Sequence, residues 1–382
     1  MERSPEPAEA LARAHDHALR WLATLTDREV PPRASVAEVA TALGTDLPDG
    51  PTDPVEVIDL LAEAAEPGLT AMPSGRFFGF VIGGTHPAAL AADWLTSAWD
   101  QNAGMRTVTP ATTALDDIAE GWVVDLLGLP EGSAVGFVTG GTMANFTCLA
   151  AGRDAVLATA GWDVATRGLA GSPGVRVLAG AEGHGSVDLA LRYLGLGAPE
   201  VVEVDAQGRI QPSALRAVLA SGDDRPTIVR DPAALRTAMS MHGAYLIQDA
   251  AGDPFEKVPE LSRRARAVAV WAVLRSLGRT GVAELVERLA GHARAFSEGI
   301  ASIDGAEVLN DVVFTQVCAA FGDDDRTRDV VRRMLEDGTA WTTGSVWHDR
   351  AVLRISVSNW STTESDVERT IDALRAAVAA SA

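Results

Sequence analysis

Residues 133–145 read SAVGFVTGGTMAN, and this stretch decides the fold. Its first half is a short apolar run of strand type that ends in Gly140-Gly141. Thr142 opens a helical pattern that continues through TMANFTCLAAGRDAVLATAG. Two glycines between strand and helix let backbone amides approach a ligand closely, and the helix N-terminus favours an anion there. Thr142 adds a hydroxyl donor. The motif is neither a Walker loop nor a dinucleotide fingerprint, and alone it also reads as a Gly-rich turn with no ligand. Outward from it the alternation goes on. VRVLAG (175–180) is a strand, SVDLALRYLGLG a helix, VVEVD (201–205) a strand, PSALRAVLAS a helix and PTIV (226–229) a strand. A β-α-β-α-β pattern predicts an α/β domain with a parallel, doubly wound sheet. Such domains usually offer five or more parallel strands. Fewer are legible here, so the sheet is expected to be incomplete.

The flanks differ in character. Before residue 130, PEPAEALARAHDHALRWLATL, VEVIDLLAEAAEPG, HPAALAADWLTSAWDQN and TTALDDIAEGWVVDLLG carry apolar residues at spacings of three and four, and predict helices. After 230, DPAALRTAMS, ELSRRARAVAVWAVLRSLG and GVAELVERLAGHARAFSEGIASI do the same. The remainder, from AEVLN through VVFTQVCAAF, TRDVVRRMLEDG, TAWTTGS, AVLRISVS and ESDVERTIDALRAAVAA, reads as a small α+β unit. The expected division is an N-terminal helical segment (1–105), a large domain (106–280) and a small C-terminal α+β domain (281–382).

The 382 residues carry a formal net charge of −20, which argues against nucleic acid and anionic membranes as partners while leaving room for a local anion site. Of the 32 basic residues, Lys257 alone is a lysine, so any chemistry that needs a lysine amine has one candidate. Its neighbours in DPFEKVPE are charged, and a surface lysine is expected. Cys148 and Cys318 lie far apart in apolar stretches. That pattern predicts two buried, reduced thiols and neither a disulfide framework nor a Cys-x-x-Cys metal site. The N-terminal stretch is charged and amphipathic, and the longest apolar run, AVAVWAVL (267–274), is far shorter than a membrane span. The expected location is cytoplasmic.

A second motif lies some forty residues beyond the first. In AEGHGSVDLALRYLGLG (181–197), His184 stands between two glycines, just before a helix expected to be capped at Ser186. A lone histidine here reads as a turn residue, but TGGTMAN followed by HGSVDLALRYLGLG is specific. The pair resembles the pyridoxal-phosphate-dependent group II amino-acid decarboxylases, among them the aromatic-L-amino-acid, glutamate, histidine and tyrosine decarboxylases. RFFGFVIGGTHPAALAADWLTSAWDQNAG is similar to the family's N-terminal, pocket-forming segment. AYLIQDAAGDPFEKVPELSRRARAVAVW resembles its mobile loop and following helix, and LRISVSNWSTTESDVERTI its C-terminal domain. The resemblance implies the aspartate-aminotransferase-like fold type I, a pyridoxal-phosphate cofactor, a small-molecule amino-acid substrate and a homodimer. By the same resemblance Gly141 and Thr142 hold the cofactor phosphate, and His184 stacks on the pyridine ring. Tyr245 is the candidate proton donor, and Phe78, Phe80 and Asn102 border the substrate. For Phe78 and Phe80 simple core packing competes with that role, and for Tyr245 an exposed loop aromatic does.

Two parts of the family's equipment are missing from the resemblance. One is a lysine that joins the cofactor aldehyde as a Schiff base. The other is an aspartate that keeps the pyridine nitrogen protonated, so that the ring acts as an electron sink. In the family both lie between the strand matching PTIV and the segment matching RDPAALRTAMS. Here Val229 is joined directly to Arg230, and the strand-Asp-Ala-Ala element, the His-Lys element and the strand before the loop are absent. A rival alignment places Asp249, in HGAYLIQDAAG, at the aspartate's position. Covalent attachment of the cofactor is therefore not expected. The resemblance implies a carboxy-lyase with impaired or no activity. Its rivals are a non-catalytic descendant that binds cofactor weakly or pairs with an intact relative, and the product of a damaged gene.

Overall fold

A computed structural model describes residues 7–220, 225–227 and 252–381. The expected Tyr245, the rival Asp249 and the Val229–Arg230 junction lie outside these residues. The chain divides into two compact units: residues 1–85 with 283–382, and residues 86–282.

The first unit begins with α1 (Pro7–Ala23), α2 (Val36–Leu43) and α3 (Pro54–Ala65). Its centre is an antiparallel sheet in the order β3-β4-β6-β5, formed by Ala306–Val308, Gln316–Phe321, Arg350–Ser356 and Thr343–Trp347. Strand side chains alternate between faces. Val317, Ala319 and Phe321 of β4 and Leu353 and Ile355 of β6 therefore meet one core. Phe296 and Ile300 of α10 (Ala267–Ala301), Val330 and Met334 of α11 (Asp324–Asp337), and Ile371 and Leu374 of α12 (Glu364–Ala380) fill it. Asp323 caps α11 by accepting the Arg326 amide, and Thr363 and Asp366 form a capping box on α12. α10 is interrupted at Gly278, whose φ of 63° suits glycine.

The second unit holds α4 (Pro87–Trp99), α5 (Pro110–Leu126), α6 (Gly141–Thr159), α7 (Val164–Arg167), α8 (Gly185–Tyr193) and α9 (Pro212–Leu219). Its strands are β1 (Leu178–Gly180) and β2 (Glu200–Val202), which pair in parallel, and a parallel bridge joins Arg176 to Thr227. These pairings place the 200s, 170s and 220s side by side, as the β-α-β reading requires.

The expected strand at 133–141 does not form among the described residues: 133–138 is irregular and joins no ladder. Side chains satisfy its backbone instead. The Val135 amide donates to Glu120 at 2.9 Å, and Arg263 donates to the Phe137 carbonyl at 3.4 Å. The segment after Gly252 backs the stretch so closely that a Cβ on Gly136 would collide with the Lys257 carbonyl. An apolar run marks burial; it does not supply a partner strand.

Candidate functional site

The Gly140-Gly141 turn keeps the form expected of an anion cradle. Gly140 adopts φ 140° and ψ 179°, a region essentially reserved for glycine, and no side chain caps α6. A Cβ added at Gly140 or Gly141 would meet no atom within 4 Å. The first amides of α6 and its positive dipole end thus face open space, with Thr142 half-buried beside them.

His184 sits at the start of α8, but the helix is not capped at Ser186. His184 is itself the N-cap: its Nδ1 accepts the Ser186 amide at 3.1 Å. A histidine flanked by glycines has the freedom to take the extended backbone of an N-cap (φ −71°, ψ 134°). The Ser186 hydroxyl also lies 2.7 Å from Nδ1, and Asn145 of α6 donates to that hydroxyl at 2.8 Å. The phosphate-type turn and the histidine are thereby tied through a side-chain bridge between α6 and α8. The sequence marks Ser186 only as a helix cap and does not single out Asn145. Their bridge joins residues 41 positions apart, and the sole clue was that each belongs to one of the two motifs.

Lys257 is not a surface lysine. Only 13% of its side chain is accessible, and its ammonium is bound to Glu120, with Asp117 at 3.9 Å. The pair belongs to a row of acids on α5. Asp116 pairs with Arg263 at 3.2 Å, both side chains being almost fully buried. Asp117 takes a two-point contact from Arg106 at 2.7 and 3.3 Å. Burial pushes the Asp116 carboxyl up, opposed by Arg263 and Lys257. Asn102 belongs to this assembly: its side-chain oxygen accepts the Arg263 amide at 3.1 Å, while the residue stays exposed.

Phe78 and Phe80 belong to the first unit. Phe78 is fully buried and meets Phe296 edge-on at 4.9 Å, so its ring fills the core and does not present itself to a ligand. Phe80 is 52% exposed and takes a left-handed φ of 54°. Neither cysteine is buried: Cys148 is exposed and Cys318 intermediate. Among the described residues no cluster of three or more His, Cys, Asp or Glu could hold a metal ion.

The model of the pyridoxal-dependent decarboxylase conserved domain matches residues 38–226 and 225–321, well over half of the chain. The chain belongs to the pyridoxal-dependent decarboxylase family. The aromatic-L-amino-acid decarboxylase of Bacillus atrophaeus is 29% identical over 179 residues, which are 44% of this chain and 34% of that protein. The chain spans about a third or less of the length of the curated relatives it matches. Among solved structures, Oryza sativa TDC with PLP and tryptamine superposes with a TM-score of 0.86 at 19% identity. That match covers 100% of this chain and 99% of the other. Mouse CSAD gives a TM-score of 0.85 at 16% identity, covering 96% and 98%. These likenesses establish the fold as type I.

Pyridoxal phosphate is the cofactor of this family. The decarboxylase-family chain fits one end of it. The open, uncapped amides at Gly140-Gly141 suit a phosphate, and the exposed His184 ring is held beside the helix that offers them. The aldehyde end finds no free amine among the described residues, because the single lysine is held by α5.

Proposed function

We propose that this chain is a pyridoxal-phosphate-dependent amino-acid carboxy-lyase by descent whose cofactor is held without a covalent lysine and whose decarboxylase activity is impaired or lost. When bound, the cofactor supplies the electron sink that decarboxylation needs. In this reading the Gly141 amide and the Thr142 hydroxyl take the phosphate, and His184 lies against the ring. Asn102 borders an amino-acid substrate, and Tyr245 donates the proton. One observation carries the proposal: the only lysine is half-buried in an ion pair with Glu120, where it orders the segment that backs residues 133–138.

Two further observations support it. The family model meets the chain in two separate stretches that overlap at residues 225–226, three residues before the Val229–Arg230 junction. A block missing at that junction also accounts for the stretch 133–138 having no ladder partner among the described residues. The proposal includes a homodimer in the cytoplasm. Leu11 and Leu19 of α1 and Leu60 and Leu61 of α3 are about half exposed, an apolar surface of the kind that marks an interface.

The test is trapping. The purified chain is saturated with pyridoxal phosphate, reduced with borohydride and digested, and carbon dioxide release is followed with aromatic and acidic amino acids. The expected result is no pyridoxyl group on Lys257 and no release above a no-enzyme control. A labelled Lys257 together with carbon dioxide release overturns the proposal. Lys257→Met is expected to cost about 1–3 kcal/mol of stability, because it leaves Glu120 without its cation in a poorly solvated place.

A further inference from the structure

We infer that Asn145 and Ser186 are positioning residues that set the tautomer and the orientation of the His184 ring. The inference rests on the function proposed above for the identity of the ligand, but not for the bridge itself. The backbone N–H of Ser186 donates to His184 Nδ1 at 3.1 Å. A ring nitrogen that receives an amide N–H must offer its lone pair, so Nδ1 carries no proton and the neutral ring carries it on Nε2. The Ser186 hydroxyl, 2.7 Å from the same nitrogen, then has one role open to it, that of donor.

Asn145 enforces that direction. Its side-chain amide donates to the Ser186 oxygen at 2.8 Å, which leaves the single hydroxyl proton for His184. The relay therefore runs from Asn145 to Ser186 to His184. Its first member stands on α6 one turn beyond Gly141, so the helix that offers its amides to an anion also fixes the ring beside it. His184 is exposed while Ser186 and Asn145 are half-buried. The supports are thus packed and the ring they hold is open. A planar ligand with a phosphate tail meets both features at once, with the Nε2–H as an outward-facing donor.

The experiment uses the full chain labelled with 15N-histidine, the His184→Gln variant assigning the signal. Long-range 1H–15N correlation at a pH where imidazoles are neutral is expected to show His184 in the Nε2–H form. Asn145→Leu, similar in size and uncharged, removes the donor and leaves the Ser186 hydroxyl free to turn its proton away from Nδ1. With the Ser186 amide left as the one donor to Nδ1, at 3.1 Å, His184 should shift toward a tautomer mixture, and pyridoxal-phosphate affinity by equilibrium dialysis should fall about fivefold, the scale of one net hydrogen bond. Inorganic phosphate affinity should stay unchanged, because the turn itself is intact. Ser186→Thr, which keeps the hydroxyl, should behave as wild type, and Ser186→Ala should not. A wild-type His184 protonated at Nδ1, or an Asn145→Leu chain identical to wild type in spectrum and affinity, overturns the inference. A wild-type chain with the Nε2–H tautomer that binds no pyridoxal phosphate sinks the proposed function instead and leaves the relay standing.

Discussion

Asp116 shows how a single side chain carries the cost of building this site. It lies almost fully buried against Arg263, and burial outweighs the attraction of Arg263 and Lys257, so its carboxyl is a weaker acid in the folded chain than in the unfolded one. The folded state then binds this proton more tightly. The contribution of Asp116 to stability is most favourable below the ordinary aspartate value of 3.8 and declines as pH rises from there through the raised value. Asp116→Asn has no such dependence. The unfolding free energy of wild type minus that of the variant should therefore fall with rising pH across that interval and stay flat above it. Urea titrations at several pH values measure this difference, and a difference that climbs with pH shows Arg263 to dominate. Legibility at this scale was uneven. The glycine turn before Thr142 and a helix start near His184 are legible because local sequence dictates both. The partners of Lys257 are not, since Glu120 and Asp117 are 137 and 140 residues away and reach it only through the chain fold.

At the scale of elements, periodicity marks most of the helices, but not their ends: α8 is capped at His184, two residues before the cap expected at Ser186. α2 does not show in the periodicity although Ser35-Val-Ala-Glu38 carries a capping box, with the Ser35 hydroxyl accepting the Glu38 amide and the Glu38 carboxylate accepting the Ser35 amide. The eight-residue helix is too short for its period to stand out. The failure at 133–138 is of another kind: a strand is a property of two segments, and no ladder partner is present among the described residues. The turn that follows can be tested by a pair of substitutions. Gly140→Ala meets no steric obstacle, yet it places an alanine at φ 140°, ψ 179°, and should cost about 1–3 kcal/mol. Gly141→Ala enters the first turn of α6 with equal room and no positive φ, and should be neutral or stabilising by up to about 1 kcal/mol. Chemical denaturation of both variants checks the contrast. Equal losses would mean that close packing, absent from this structure, constrains the turn and not backbone conformation.

At the scale of the molecule, the two units differ in how completely their sheets are built. The first has four antiparallel strands joined in register and a cluster of nineteen buried residues that draws on α10, α11 and α12. Among the described residues the second has a parallel ladder of three residue pairs and two isolated bridges, Arg176 to Thr227 and Val204 to Ile210. Its segment 252–263, with a single 3-10 turn at Pro254–Lys257, is tied to α5 by the ion pairs of Lys257 and Arg263. Backbone hydrogen bonds in a short ladder open to solvent with little loss of buried apolar area, so the free energy of local opening should differ between units. Hydrogen exchange on the full chain in increasing urea should show it. Peptides from β4, β6 and α12 should stay protected to the highest urea, while those spanning β1, α8 and β2 lose protection first. Because the His184 relay and the Gly140 turn lie in the second unit, its opening should abolish cofactor binding while the first unit is still folded. Loss of pyridoxal-phosphate binding should therefore follow the earlier transition. If both sets of peptides lose protection at one urea concentration, the ion pairs on α5 hold the second unit as firmly as the larger core holds the first.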